Sequence, residues 1–240
     1  MTRAVLLHGF GADQLTWTGI RSILTHVDVA SPDLPGHGSA LSDLGSGSLD
    51  DMGTRLLNRL EDEPPAWLVG HSLGGGLALW LAAQHPQRWK GLILLAPLGL
   101  GQNTDFARLL DYPKIKTETQ MQEFLESLVY DKSLIQSLFS QYALDQLNVN
   151  GARLAMEKIA GQLQSAETQV HDLLPQMDRE SLDITVIWGT DDTVLQPEKS
   201  RIASLGQLTE IRNVGHIPHV EAMKDVNGIL KAKILYLIHI

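Results

Sequence analysis

The sequence contains no cysteine. That excludes disulfide cross-links and a thiolate nucleophile, and it leaves any metal site without sulfur ligands. It also lacks a basic run. Lys and Arg number 19 against 28 Asp and Glu, for a formal net charge of −9. That is the wrong sign for a surface that gathers polyanions, so no nucleic-acid partner is expected. No apolar run approaches the roughly 20 residues a membrane helix needs, so no membrane partner is expected either. The late run ILYLI (Ile234–Ile238) is too short to span and reads as a helix end. The opening MTRAVLLHGF is interrupted too soon for a signal peptide, which makes a soluble, cytoplasmic protein the expectation. What is present is ordinary for a globular chain. Its 240 residues, 43% hydrophobic and 20% charged, can bury a substantial core in one domain or one domain with an insertion.

Short β-branched or leucine-rich runs alternate with helical patterns. Strands are expected at about Arg3–Leu7, Val27–Ser31, Ala66–Gly70, Leu92–Ala96, Ile184–Trp188 and Leu208–Asn213. Most are almost wholly apolar, as strands buried on both faces of a parallel sheet are. Helices are expected to open near Asp13, at Ser48 with Asp51 completing a capping box, after Ser72 as far as Pro86, and near Glu221. This alternation implies a doubly wound α/β sheet.

One region breaks the rhythm. Residues 98–180 hold no convincing strand, only helical stripes: Met121, Phe124, Leu125 and Leu128; Ile135, Leu138, Phe139 and Tyr142; Ala152, Ala155, Met156, Ile159 and Leu163. Loops that long are uncommon inside a compact domain, so the segment reads as an inserted helical cap between the fourth and fifth strands. The core then comprises residues 1–97 and 181–240. Lys114, Lys116, Arg153 and Lys158 fall off the apolar faces and are expected to meet water.

The stretch WLVGHSLGGGLALW (Trp67–Trp80) places a serine between two glycines where a strand becomes a helix. A tight strand-to-helix turn strains its central residue and needs small neighbours two positions away, which Gly70 and Gly74 supply. It lifts the Ser72 hydroxyl above the sheet edge and aims a helix N-terminus at it. A serine nucleophile needs a base, and the base an orienting carboxylate. Asp191 and Asp192 follow the strand Ile184–Trp188, and His216 follows the last strand, so all three side chains leave the same edge. His216 and His219 lie three apart on one loop. His216 is the expected base, and His219 is expected to face the cap or solvent. The N–H groups of Phe10, in His8-Gly9-Phe10-Gly11, and of Leu73 would hold an oxyanion. His8 reads as a structural residue bonding the loop, His37 as a turn residue, and His71 as pointing away.

Together, LLHGFG (Leu6–Gly11), DLPGHG (Asp33–Gly38), GHSLGG (Gly70–Gly75), WGTDD (Trp188–Asp192) and GHIPHVE (Gly215–Glu221) resemble the α/β-hydrolase superfamily over nearly the whole chain. The resemblance implies that the acid is Asp192 rather than Asp191, three residues past Gly189, that His216 is the base and that Glu221 is structural. The usual N-terminal hairpin is missing, which implies six core strands ordered 2-1-3-4-5-6. A looser resemblance, in Ala96–Leu110 and His216–Asn227, is to the hydrolase-type domain of acetoin dehydrogenase acyltransferase subunits.

These readings imply a serine hydrolase that cleaves short to medium neutral carboxylic esters through an acyl-enzyme and needs no cofactor. The expected partner is a small ester, bound beside Phe10, Leu73, Leu98 and Val194, on a monomer or homodimer. Carbon–carbon bond hydrolases of aromatic degradation are similar, but often carry an aromatic residue where Ile217 stands. Haloalkane dehalogenases place Asp at the position of Ser72. A non-catalytic binding or docking module on the same fold is the alternative of a different class.

Overall fold

The computed structural model describes residues 2–60, 65–177 and 182–235. Both the end of the ILYLI run and the boundary expected at residues 180–181 lie outside them. Six apolar runs pair in parallel: β1 (Arg3–Leu7), β2 (Asp28–Ala30), β3 (Ala66–His71), β4 (Trp89–Leu95), β5 (Asp183–Gly189) and β6 (Gln207–Ile211). Their order is β2-β1-β3-β4-β5-β6, as the resemblance implies. The order reverses between β1 and β3, the place where open α/β sheets bind ligands beyond the strands' carboxyl ends.

Strand alternation divides the core. Val5, Leu7, Leu68, Leu92, Leu94, Ile184 and Val186 join one apolar cluster, and Ala4, Leu6, Trp67, Val69, Ile93, Leu95 and Ile187 join the other. Each fully buried aliphatic side chain contributes about 1.5–3 kcal/mol. The second face is covered by α1 (Thr18–Arg21) and α11 (Met223–Ile234), and the first by α2 (Leu49–Arg59) and α3 (Leu73–Gln84). Between β4 and β5 run α4 (Phe106–Asp111), α5 (Glu118–Glu126), α6 (Ser137–Leu147), α7 (Ala152–Ala160) and α8 (Leu163–Leu173), with α8 packed against α3. After β5 come α9 (Lys199–Ala203) and α10 (Pro218–Glu221). Among the described residues no helix is long and apolar enough to cross a membrane.

Several local expectations need correction. The stripe on α6 is not a core face: Leu138 is 70% exposed, Phe139 54% and Tyr142 40%, while the buried positions are Ser140 and Leu147. α6 contacts α5 and α7 and turns Ala143, Leu144 and Leu147 toward the apolar cluster, which leaves the stripe on its other side. The segment also holds a strand after all, as Gly101–Gln102 pairs antiparallel with Gln196–Pro197. At α2, Ser48 accepts the Asp51 N–H, but the return half of a capping box is missing. The Asp51 carboxylate instead takes the Ser46 N–H, presented by the turn before the helix, and the Arg55 guanidinium, one helical turn on. Arg153 is not left to water: it donates to the carbonyls of Pro113 and Ile115 at 2.8 and 2.5 Å. The C-terminal helix opens at Pro218 and breaks at Ala222 before α11 begins.

Candidate active site

Ser72 occupies the turn between β3 and α3 with φ 50° and ψ −116°. This is a backbone region that costs a non-glycine residue on the order of 1–3 kcal/mol and persists only where surroundings fix it. Here the Ser72 N–H donates to the Leu95 carbonyl at 3.0 Å. Its carbonyl accepts from Gly76 and Leu98 at 3.0 and 2.9 Å. The flanking glycines are steric necessities. A Cβ on Gly70 would stand 2.5 Å from the Gly74 carbonyl oxygen, and one on Gly74 would stand 2.2 Å from that of Leu7.

The hydroxyl meets an imidazole. His216 Nε2 lies 3.1 Å from Ser72 Oγ, and His216 Nδ1 lies 2.8 Å from Asp192 Oδ2. Because the carboxylate only accepts, Nδ1 carries the proton and Nε2 is left to accept from the serine. Both His216 and Asp192 are buried. The Asp192 carboxylate is fully engaged: Oδ1 accepts the N–H groups of Val194 and Leu195 at 2.8 and 3.1 Å, and Oδ2 also accepts the Trp188 indole at 3.0 Å. Four donors fix its orientation and compensate its burial. Asp191 faces the other way, accepting from Thr190 and the Asn213 N–H.

The N–H groups of Phe10 and Leu73 make no hydrogen bond to other described residues, so two backbone donors remain free beside Ser72. The loop carrying Phe10 is held from below. His8 donates through Nδ1 to the Gly9 carbonyl and accepts the Leu34 N–H at Nε2, both at 2.9 Å. His37 accepts the Gly11 N–H at 3.2 Å. It is therefore more than a turn residue, since it stands under the loop it supports. Burial, with His8 nearby, pushes its pKa down to about 3, so it stays neutral. From above, the Tyr112 hydroxyl donates to the Gly11 carbonyl at 3.2 Å, and its ring meets Phe10 edge-on. Leu98 and Val194 sit next to the elbow and the acid, but are nearly wholly buried.

Two histidines depart from expectation. His71 does not point away: its buried ring lies beside that of His216 at 5.0 Å, and Nε2 donates to the His216 carbonyl at 2.9 Å. His219 faces neither cap nor solvent. It is buried, stacked on Trp17 at 4.6 Å and bonded to Thr16 Oγ1, because α10 turns the residues after His216 inward. Glu221 accepts the N–H groups of Gly215 and Tyr130 at 2.9 and 2.7 Å and so joins the His216 loop to the helical segment. Among the described residues, no group of three or more His, Asp or Glu is arranged to hold a metal ion.

The sequence profile of the alpha/beta hydrolase family matches residues 4–229. The chain belongs to that family. Among curated relatives, it is 28% identical over 229 residues to the dihydrolipoyllysine-residue acetyltransferase component of the acetoin cleaving system of Pseudomonas putida, covering 94% of this chain but 61% of that protein. The chain thus spans about three fifths of that relative's length. It is 26% identical to Lipase 3 of a Moraxella species, over 95% of this chain and 76% of the lipase. Among solved structures, a 2-hydroxy-6-oxo-6-phenylhexa-2,4-dienoate hydrolase from a Rhodococcus species superposes with a TM-score of 0.83 at 21% identity, covering 96% of this chain and 89% of that one. At such identity the likeness speaks to the fold.

Within this family member, sequence reasoning missed the residues that act at one remove. Trp188 belongs to the WGTDD motif, and its indole donates to Asp192 Oδ2. A buried indole N–H needs an acceptor, and here it is shared between Asp192 Oδ2 and the Leu195 carbonyl, at 3.0 and 3.1 Å. Tyr112 and the Leu128 carbonyl, which takes the His216 N–H at 2.7 Å, left no signal, since the helical segment's register over the sheet is not encoded locally.

Proposed function

We propose that the chain is a serine hydrolase that cleaves short to medium neutral carboxylic esters. The observation that carries this reading is the continuous hydrogen-bonded line from Ser72 Oγ through His216 to Asp192 Oδ2, at 3.1 and 2.8 Å. Ser72 Oγ attacks the acyl carbon while its proton passes to His216 Nε2. Asp192 holds the tautomer and stabilises the imidazolium. The free N–H groups of Phe10 and Leu73 receive the oxyanion of the tetrahedral intermediate. His216 then returns the proton to the leaving alkoxide. The remaining acyl-enzyme is opened by water, deprotonated by the same nitrogen.

The ester preference rests on the surroundings. Phe10, Tyr112 and Phe124 form an aromatic run beside the loop, with ring centroids 5.4 and 5.0 Å apart, and the nearby Arg153 guanidinium is taken up by the Pro113 and Ile115 carbonyls. An unpaired carboxylate there would be costly, which favours neutral acyl groups. The Moraxella relative's name is that of a lipase, which agrees with ester chemistry. The residues 98–177 act as a cap on this reading, and the working chain is a soluble monomer or homodimer in the cytoplasm.

A series of nitrophenyl esters from acetate to hexanoate and beyond, run beside an aromatic dienoate, tests the proposal. Turnover is expected to peak at short to medium acyl length. An optimum on long chains, or a strong preference for the dienoate, replaces it with a lipase or a carbon–carbon hydrolase. Failure of a fluorophosphonate probe to label Ser72 leaves the binding-module reading.

A further inference from the structure

Nothing in the nucleophile-elbow geometry dictates the residue before Ser72; only the glycines are sterically required. Yet His71, the last residue of β3, is the point where three parts of the site touch. Its Nε2–H donates to the main-chain carbonyl of His216, 145 residues away, at 2.9 Å. Its Nδ1 edge lies against the loop that carries Phe10: a Cβ on Gly9 would stand 2.7 Å from that nitrogen. Its ring also meets His219 edge-on at 4.7 Å, and His219 stacks on Trp17, which closes the far side.

We propose that His71 is a positioning residue that sets the distance between nucleophile and base. The inference rests on the serine-hydrolase reading above. His216 must keep its ring between Ser72 Oγ and Asp192 while it gains and loses a proton. Its backbone is clamped on two sides. The N–H donates to the Leu128 carbonyl at 2.7 Å, which belongs to the helical segment, and the carbonyl accepts from His71. Only the second clamp is attached to the strand that bears the nucleophile. Beside the bond between the two side chains themselves, the backbone of the base is therefore referenced to the serine, among the described residues, through one buried hydrogen bond from the adjacent residue. The bond to a carbonyl requires the Nε2–H tautomer, which a neutral ring supplies. Burial, aided by the neighbouring His219 and His216, holds His71 well below the ordinary histidine range, so it adds no charge against the imidazolium that forms at His216. Gly9 fits the same account, as any side chain there would displace the ring.

Three variants separate the hydrogen bond from packing. His71→Phe keeps a ring without a donor, His71→Asn keeps a donor without a ring, and His71→Ala removes both. Turnover is counted per site titrated by a fluorophosphonate. The low-field proton resonance of the His216–Asp192 hydrogen bond is recorded alongside, a signal that needs no substrate. Since small misplacements of catalytic groups cost up to about 100-fold, kcat is expected to fall roughly 10- to 100-fold in the Phe and Ala variants with KM within about twofold. The low-field proton should broaden or vanish in both, and His71→Asn should recover much of each. Unchanged turnover per titrated site in His71→Phe, or an unchanged low-field proton in that variant, overturns the assignment. If the Ala variant does not fold, the Phe and Asn pair decides. A wild-type protein inactive on every ester overturns the substrate reading instead, and the low-field proton alone then decides the role of His71.

Discussion

α3 and α6 are both rich in apolar residues, and the protein uses them in opposite ways. From Leu73 to Ala82, every residue of α3 is buried. α6 turns Leu138, Phe139 and Tyr142 outward. The difference lies in the neighbours. α3 lies against β3 and β4 on one side and against α2 and α8 on others, so each direction meets apolar surface. α6 rests on α5 and α7, and among the described residues Tyr142 Oη to Asp13 is its side-chain bond to the sheet region. Composition alone does not say whether an apolar stripe is core; the layer beneath it does. The helix that presents Ser72 is anchored all round, and α6 leaves one face to solvent.

The comparison is tested most sharply at the head of α3. On the proposed chemistry, Ser72→Ala should reduce kcat by about 10⁶, with the fold intact because one oxygen is lost. Active-site titration and circular dichroism together check this. Retention of more than a few per cent of activity would break the link between the anchored helix and the chemistry.

Next in size is the acid. Asp192→Asn keeps the shape but offers an amide N–H where His216 Nδ1–H needs an acceptor. It should lower kcat by roughly 10⁴. Asp191→Asn should leave kcat within about twofold, since the Asp191 carboxylate faces Thr190 and the Asn213 N–H at the surface. Steady-state kinetics on both variants give the ranking, and the reverse order would reassign the acid.

How much of this was legible in the sequence follows from what is local. The strands, the elbow and the spacing of Asp192 from Gly189 were readable because each depends on residues adjacent in the chain. The six-strand order came with the resemblance. The exposure of the α6 stripe and the place of His71 were not readable. Each depends on contacts between distant segments: 145 residues separate His71 from His216. A periodic apolar pattern states that a face exists and not what covers it.

Acid should separate the two regions. His37 and His219 have pKa values lowered to about 3 by burial, and both belong to the sheet and its loops. A lowered histidine pKa means that, between about 6.5 and 3, the unfolded chain binds a proton that the native one refuses. Stability from each group is therefore full above pH 6.5 and lost as pH falls toward 3, by up to ~1.4 kcal/mol per pH unit. All five tryptophans lie outside residues 98–177, so their fluorescence reports the sheet region. Urea midpoints followed by that signal should drop steadily from pH 6.5 to 4.5, and less steeply in His37→Gln. A flat profile would mean that the buried imidazoles are protonated in the native state.

The smallest effect is the most direct test of the contrast between the helices. Leu77 on α3 has no exposed surface, so Leu77→Ala removes buried methyl groups and leaves a cavity, at a cost of about 2–5 kcal/mol. Leu138 on α6 is 70% exposed, so Leu138→Ala leaves almost no cavity and should change stability by less than about 0.5 kcal/mol. Alanine's better helix propensity works slightly in its favour at an exposed position. Urea unfolding of the two variants, compared at equal m-value, reads the difference directly. A loss beyond 1 kcal/mol in Leu138→Ala would show that the outer face of α6 is covered in solution, and the contrast between the two helices would fail there.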